Sequence, residues 1–141
     1  MELLSLFFTS FLAATFIPLS SEVLLGVLLN EGHSKVSLLL IANLGNTLGG
    51  VFTFYIGYFS KLEWAEKYLR IKKAELLKWQ ELIRKYGAFL SFFCWLPVIG
   101  DPIAMALGYF KVSIKKALVP MLLGKGLRYL FLIYSFDYIF L

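Results

Sequence analysis

The sequence predicts an all-α integral membrane protein, an inverted repeat of two units joined by an amphipathic cytoplasmic helix. Each unit is predicted to be a re-entrant helical hairpin followed by one transmembrane helix. Three observations lead to this fold class: an apolar composition, two apolar segments that each contain a proline and an acid, and an offset of 79 positions between them. One domain is expected, with units at about 3–59 and 88–138 and the connecting helix at 61–86.

The composition alone indicates a membrane protein. Sixty per cent of the 141 residues are hydrophobic and the mean hydropathy is +0.77, whereas soluble domains contain about 45–50% apolar residues. The single cysteine, Cys94, excludes an internal disulfide, and the single histidine, His33, lies in a short polar link. No metal site or cofactor is expected, because the sequence has no cysteine and histidine cluster and no phosphate-binding glycine loop.

The first unit begins with the apolar segment Leu3–Leu29. As one helix this segment would be ~40 Å long, which is too long for a single crossing and too short for two. Pro18 interrupts it in the middle, so two half-helices that meet at a polar tip are expected; one long helix kinked at Pro18 is the alternative. Val36–Phe59 follows as a spanning helix, and Asn46 lies on its face of small residues, which favours close helix packing.

The connecting segment Lys61–Tyr86 is different in character. It holds eight of the fourteen lysines and arginines and four of the nine acids, and its apolar residues recur every three or four positions, as in an amphipathic helix. The positive-inside rule places it in the cytoplasm, and its aromatic residues suit the membrane surface. A nucleic-acid partner is not expected, because the charge is mixed and the chain is embedded.

The second unit contains a segment that a straight membrane helix does not tolerate well. Phe92–Leu107 is broken by Pro97, Gly100 and Pro102, so it is expected to enter from the cytoplasm and return there; an ordinary kinked span is the alternative. Val112–Leu141 is the last spanning helix. Because each unit is a hairpin plus one crossing, the two units are expected to have opposite orientations, as in many transporters.

The repeat is supported by an ungapped register at the offset of 79 positions. Apolar matches are common by chance in so biased a composition, but the matches of proline, acid and glycine are less so. The register pairs Pro18 with Pro97, Glu22 with Asp101, Gly45 with Gly124, and Asn46 with Lys125.

Four ionisable residues are predicted at membrane depth: Glu22, Asp101, Lys125 and Arg128. Each costs ~2.5–3.5 kcal/mol at the centre of a membrane helix, so they are expected to converge on one polar cavity, with Asn46 as a further lining residue. The two bases suit an anionic group such as phosphate, and the two buried acids suit proton coupling. A buried ion-pair network that only holds the fold together is the alternative.

Four segments resemble the DedA, or SNARE-associated (VTT-domain), membrane proteins, particularly their small YqaA-like branch. These segments are FIPLSSEVLL, NLGNTLGG, WLPVIGD and LGKGLRY, and the resemblance covers nearly the whole chain. It implies two opposed re-entrant hairpins, a role in moving polyprenyl phosphate or phospholipid, and Glu22 as the acid of the first hairpin. The family's arginines near the second-hairpin proline are absent: Cys94 and Gly100 stand near those places, and Asp101 follows. Either Lys125 and Arg128 supply that charge, or this branch moves another substrate.

These observations lead to the hypothesis of a multi-pass cell-membrane transporter or flippase for an anionic lipid, with or without proton coupling. The expected partners are membrane lipids such as a polyprenyl phosphate, protons, and further copies of the chain in a homo-oligomer. A proton- or ion-coupled transporter of a small solute is one alternative, and a non-transporting scaffold that uses the glycine faces is another. An enzyme is not expected, because no set of nucleophile and base is visible.

Overall fold

The computed structural model describes residues 1–14, 20–61, 73–96 and 100–140, except for five side chains: those of Ser20, Lys73, Leu76, Asp101 and Phe140. Within this part of the chain every regular element is a helix, which confirms the all-α prediction there. The elements are α1 (Glu2–Ala13), α2 (Ser20–Asn30), α3 (Lys35–Phe59), α4 (Lys73–Tyr86), a 3₁₀ helix (Gly87–Trp95), α5 (Gly100–Tyr109) and α6 (Ile114–Phe140).

Two helices are long and apolar enough to cross a membrane. These are α3, with 25 residues, and α6, with 27 residues. At 1.5 Å per residue they are about 37 and 40 Å long, which exceeds a hydrocarbon core of ~30 Å. Both lie where hydropathy predicts the spanning helices, and α6 continues through Pro120 without ending.

The helices α3 and α6 pack against each other in opposite directions. Near one end Lys35 forms an ion pair with Asp137. In the middle the Lys125 side chain donates to Asn46, and farther along α3 a Cβ on Gly50 would meet the Met121 sulfur. Residue numbers therefore fall along α6 as they rise along α3, so the end of α3 lies beside the start of α6.

The first hairpin opens at the N-terminal end of α3. Helix α1 runs beside α3 in the same direction, and Gly45 and Gly49 face the backbone oxygens of Phe7 and Phe11 so closely that neither leaves room for a Cβ. Residues 15–19, which contain Pro18, lie outside the described part of the chain. Helix α2 then returns, and the His33 ring that follows it lies 2.7 Å from the Glu2 carboxylate at the start of α1.

The second hairpin opens near the start of α6. Ser91 of the 3₁₀ helix donates to the Ala117 carbonyl at 2.6 Å, and the Trp95 carbonyl accepts from Arg128 at 3.2 Å in the middle of α6. Helix α5 returns, and Lys111 just beyond it donates to the Tyr58 carbonyl at the end of α3. The second hairpin thus runs beside α6 as far as Arg128 and then returns to the level at which α6 begins.

The outgoing arm of the second hairpin ends at Trp95, and the returning arm begins at Gly100. Residues 97–99, which include Pro97, are outside the described part of the chain. The Gly100 amide donates to the Leu96 carbonyl at 2.9 Å, and its missing Cβ permits close approach to the Cys94 carbonyl. Pro102 is exposed in the first turn of α5, where a missing amide hydrogen is tolerated, so it opens the returning arm rather than interrupting it.

The outgoing arms of the two hairpins differ in winding. The second is a 3₁₀ helix of nine residues, although such helices rarely exceed three or four. At about 2.0 Å per residue it is about 18 Å long. The twelve residues of α1 reach the same length of about 18 Å as an α-helix. The two arms therefore reach equally far with different numbers of residues.

Each returning arm packs against the long helix of the other unit. Leu25 of α2 belongs to one core cluster with Tyr129 and Ile133 of α6. On the other side, Gly57 of α3 faces the Met105 carbonyl of α5. Each hairpin therefore contacts both long helices, and the two predicted units do not form separate bodies.

The described part of the connecting helix, α4, is amphipathic as expected. Its basic and acidic side chains are exposed wherever they are described, whereas Trp79 and Ile83 pack against the core cluster that contains Phe54 and Ile103. Residues 62–72 of the predicted helix lie outside the described part of the chain. Helix α4 thus covers the side of the second hairpin.

Candidate functional site

A buried lysine lies in the middle of α6. Lys125 is 2% exposed, and its ammonium group donates to the Asn46 side-chain oxygen at 2.5 Å and to the Asn46 backbone oxygen at 3.2 Å. The Asn46 amide nitrogen in turn donates to the Ser10 carbonyl at 3.0 Å. Hydrogen bonds therefore connect α1, α3 and α6 near the middle of α3 and of α6. Asn46 is held by one neighbour on each side, Ser10 and Lys125.

An ion pair lies one turn farther along α6. The Arg128 guanidinium binds the Glu22 carboxylate directly and also donates to the Trp95 carbonyl. Both charged side chains are only partly buried. Glu22 stands in the first turn of α2, where the helix dipole favours a negative charge. Arg128 thus links the returning arm of the first hairpin to the outgoing arm of the second.

A group of buried hydroxyls adjoins these charges. The Ser21 hydroxyl and the Tyr129 phenol lie 3.2 Å apart, and each side chain is at most 1% exposed. The fully buried Ser10 hydroxyl lies beside the same Tyr129 phenol. None of these three residues was predicted from the sequence to line the site. Ser21 precedes Glu22 and Tyr129 follows Arg128, so proximity in sequence to a charged residue was a usable signal for these two.

The structure brings together most of the residues that the sequence selects. Asn46 contacts Lys125, and Glu22 contacts Arg128, with both bases on α6 three residues apart. The backbone of Asp101 is the second residue of α5, but its side chain is outside the described part of the chain. Its place in the shared cavity therefore stays a prediction.

The two cationic side chains of this group, Lys125 and Arg128, are of the types that bind anions in proteins. A guanidinium can bind phosphate or carboxylate through two parallel hydrogen bonds, and a buried ammonium adds a compact positive charge. The Glu22 carboxylate is bound to the guanidinium of Arg128. An anion that approached Arg128 would therefore compete with Glu22 for the same hydrogen-bond donors.

A second cluster of ionisable groups lies away from the middle of the molecule. Glu2, Glu31 and His33 each place one potential metal-ligand atom within 4.8 Å of the other two. No metal site was expected from the sequence, which has no cysteine and histidine cluster, and Glu2 is remote in sequence from the other two residues. Only the closed first hairpin brings them together.

The profile of the VTT domain matches residues 17–138 of this chain. The chain is 35% identical over 134 residues to inner membrane protein YqaA of Escherichia coli (strain K12), covering 92% of this chain and 87% of that protein. The protein of the same name from Shigella flexneri matches equally. An uncharacterized protein from Haemophilus influenzae is 32% identical over 139 residues, covering 92% of this chain and 83% of its own length.

No solved structure matches the chain. The match to the VTT domain begins after α1; it covers α2, α3, the second hairpin and almost all of α6, and with them every residue of the charged group. The relatives of known name are inner membrane proteins, in agreement with the two apolar helices that are long enough to span. The chain therefore belongs to the VTT-domain, or DedA, family and is a multi-pass protein of the cell membrane.

Proposed function

We propose that this chain carries the anionic headgroup of a lipid, such as a polyprenyl phosphate or a phospholipid, across the cell membrane. The observation that supports this proposal most is a group of three charged residues. Lys125 and Arg128 lie halfway along α6, a helix of spanning length, and Glu22 of α2 is paired with Arg128. Each of these charges costs ~2.5–3.5 kcal/mol at mid-membrane. A buried ion pair is a poor source of stability, so a role in transport explains why the charges are there.

The proposed step is an exchange at Arg128. When Glu22 is ionised, its carboxylate binds the Arg128 guanidinium. When Glu22 takes up a proton, it releases Arg128. The guanidinium then binds the phosphate together with the ammonium of Lys125. Loss of the proton restores the Glu22–Arg128 pair and expels the phosphate. Proton coupling follows from this competition.

The proposal includes a placement in the membrane. Helices α3 and α6 span the bilayer, the two hairpins enter it from opposite sides and turn back, and α4 lies at the cytoplasmic surface. The antiparallel packing of α3 and α6 supports this placement, as does the position of each hairpin's open end beside the start of its own long helix.

The test is transport in liposomes that contain the purified protein and a fluorescent or isotope-labelled lipid phosphate. The Lys125→Ala, Arg128→Ala double variant is expected to lose transport while it still inserts and folds. Lys115→Ala, Lys116→Ala is the matched control, because it removes two positive charges from exposed positions at the start of the same helix. Full transport by the first double variant would overturn the anion role.

Proton-coupled transport of a small anionic solute is the second candidate, since the same Glu22–Arg128 pair suits a carboxylate. Uptake of labelled small anions driven by a pH gradient, with no movement of lipid, would favour it. The scaffold hypothesis relies on glycine faces that are open to a partner protein. Gly45, Gly49 and Gly57 instead face the backbone of α1 and α5 within the chain, so this hypothesis is not the one we propose.

A further inference from the structure

We propose that Glu2, Glu31 and His33 form a binding site for a divalent transition-metal cation such as Zn²⁺. This site lies at the open end of the first hairpin and does not depend on the proposed function. Its residues come from the start of α1 and from the link between α2 and α3. A metal bound there would connect the first turn of the molecule to the end of its first hairpin.

The spacing of the ligand atoms is close to what a metal requires. The His33 ring nitrogen Nε2 lies 2.7 Å from a Glu2 carboxylate oxygen and 4.0 Å from a Glu31 carboxylate oxygen. Two ligand atoms at about 2.1 Å from a tetrahedral zinc ion lie about 3.4 Å apart. The first distance must therefore increase and the second decrease, each by less than about 1 Å, which rotation of exposed carboxylate side chains supplies.

The charge at this place also suits a cation. Two carboxylates face one imidazole, which is neutral whenever it acts as a metal ligand. Among the lysine and arginine side chains, the nearest along the chain, Lys35, is engaged by Asp137. The two negative charges of Glu2 and Glu31 are therefore available to a divalent ion.

The ligand set indicates which ions are favoured. An imidazole nitrogen with two carboxylates suits zinc and its neighbours in the first transition row, whereas calcium and magnesium prefer oxygen ligands alone. With three protein ligands and exposed carboxylates, the fourth position is open to water. Cys94 is buried in the other half of the molecule, so it does not compete for the ion.

The test is equilibrium dialysis of Zn²⁺ against the full-length protein in detergent near neutral pH. The protein carries a streptavidin-binding tag, because a histidine tag would itself bind the metal. We expect one Zn²⁺ per chain, no comparable binding of Ca²⁺, and a higher unfolding temperature with Zn²⁺. His33→Asn and Glu2→Gln are each expected to weaken binding at least about tenfold, since even outer partners of metal ligands change affinity by 10–100-fold.

The matched control is the Glu75→Gln, Glu81→Gln double variant, which removes two exposed carboxylates from α4 and is expected to bind Zn²⁺ like the unaltered protein. If His33→Asn folds poorly, Glu2→Gln decides the question, because Glu2 is at the exposed start of α1. Absence of Zn²⁺ binding by the unaltered protein would overturn the site. Unchanged binding by both ligand variants would show an adventitious ion only and would also overturn it.

Discussion

Asn46 and Lys125 are 79 residues apart in the chain and joined by a hydrogen bond of 2.5 Å. The register of matches that predicts an internal repeat has the same offset of 79 positions. In a symmetric assembly of two equal parts, only residues near the two-fold axis meet their own counterparts. An approximate two-fold axis between α3 and α6 would produce this contact, and the inverted repeat itself stays a prediction.

We expect Asn46→Ala to destabilise the protein by about 1–3 kcal/mol, because the substitution takes an acceptor from a buried ammonium. The measurement is unfolding by heat or denaturant in detergent. Asn43→Ala is the matched control on the same helix, since Asn43 is only partly buried and its side-chain oxygen accepts from Thr47 one turn away. Equal losses of stability in both variants would contradict the central role of the Asn46–Lys125 contact.

Glu22→Gln is expected to remove the dependence of transport on a pH gradient while lipid binding remains. Glutamine has the shape of a protonated glutamate and cannot ionise, so Arg128 stays available to the phosphate. Transport in liposomes at several pH values measures this effect, with Glu75→Gln on the exposed face of α4 as the control. An unchanged pH profile in Glu22→Gln would exclude Glu22 as the coupling group.

Gly57→Ala is expected to destabilise the protein more than Gly26→Ala. A Cβ on Gly57 would overlap the Met105 backbone oxygen, so α3 and α5 would have to separate, whereas a Cβ on Gly26 would meet only the Phe136 ring at 3.1 Å. Forcing extra atoms into a packed contact costs typically 1–3 kcal/mol. Unfolding of both variants in the same detergent decides the point, and equal stability would show that the α3–α5 contact is looser than described.

The topology is tested with single cysteines in a Cys94→Ser background. A cysteine at Lys78 on α4 is expected to be protected from a membrane-impermeant thiol reagent in intact cells, and one at Ser34 is expected to react. Cysteines at Phe89, near the start of the second hairpin's outgoing arm, and at Lys111, just beyond its returning arm, are expected to be protected together. Labelling of the Lys78→Cys variant would reverse the orientation, and opposite results at Phe89 and Lys111 would make the segment an ordinary span.

Hydropathy was enough to predict the two long helices. The cost of burying charge selected Glu22, Lys125 and Arg128 as residues that need polar neighbours, and the need of a buried amide for a hydrogen-bond partner selected Asn46. The pairing itself was not predictable. Glu22 and Arg128 are 106 residues apart, and a helical period gives the face of a residue but not which helix packs against that face.

The 3₁₀ winding of the second hairpin's outgoing arm could not be predicted from the sequence either. Nothing in Gly87–Trp95 distinguishes a 3₁₀ helix from an α-helix by composition, because both bury one side of a mostly apolar segment. Ser91 is fixed by two carbonyls, Ala88 in its own helix and Ala117 in α6. The 3₁₀ helix is thus joined by Ser91 to a helix that comes later in the chain.

Each returning arm packs against the long helix of the other unit, and this arrangement has a consequence for synthesis at the ribosome. Helix α3 leaves the ribosome with Gly57 uncovered, and the Met105 carbonyl that covers it is made 48 residues later. At about 5–20 residues per second the delay is roughly 2–10 s. During that interval the first half is in the membrane without its partner. Anything that holds nascent membrane helices at the insertion machinery must therefore shield this glycine surface until α5 arrives.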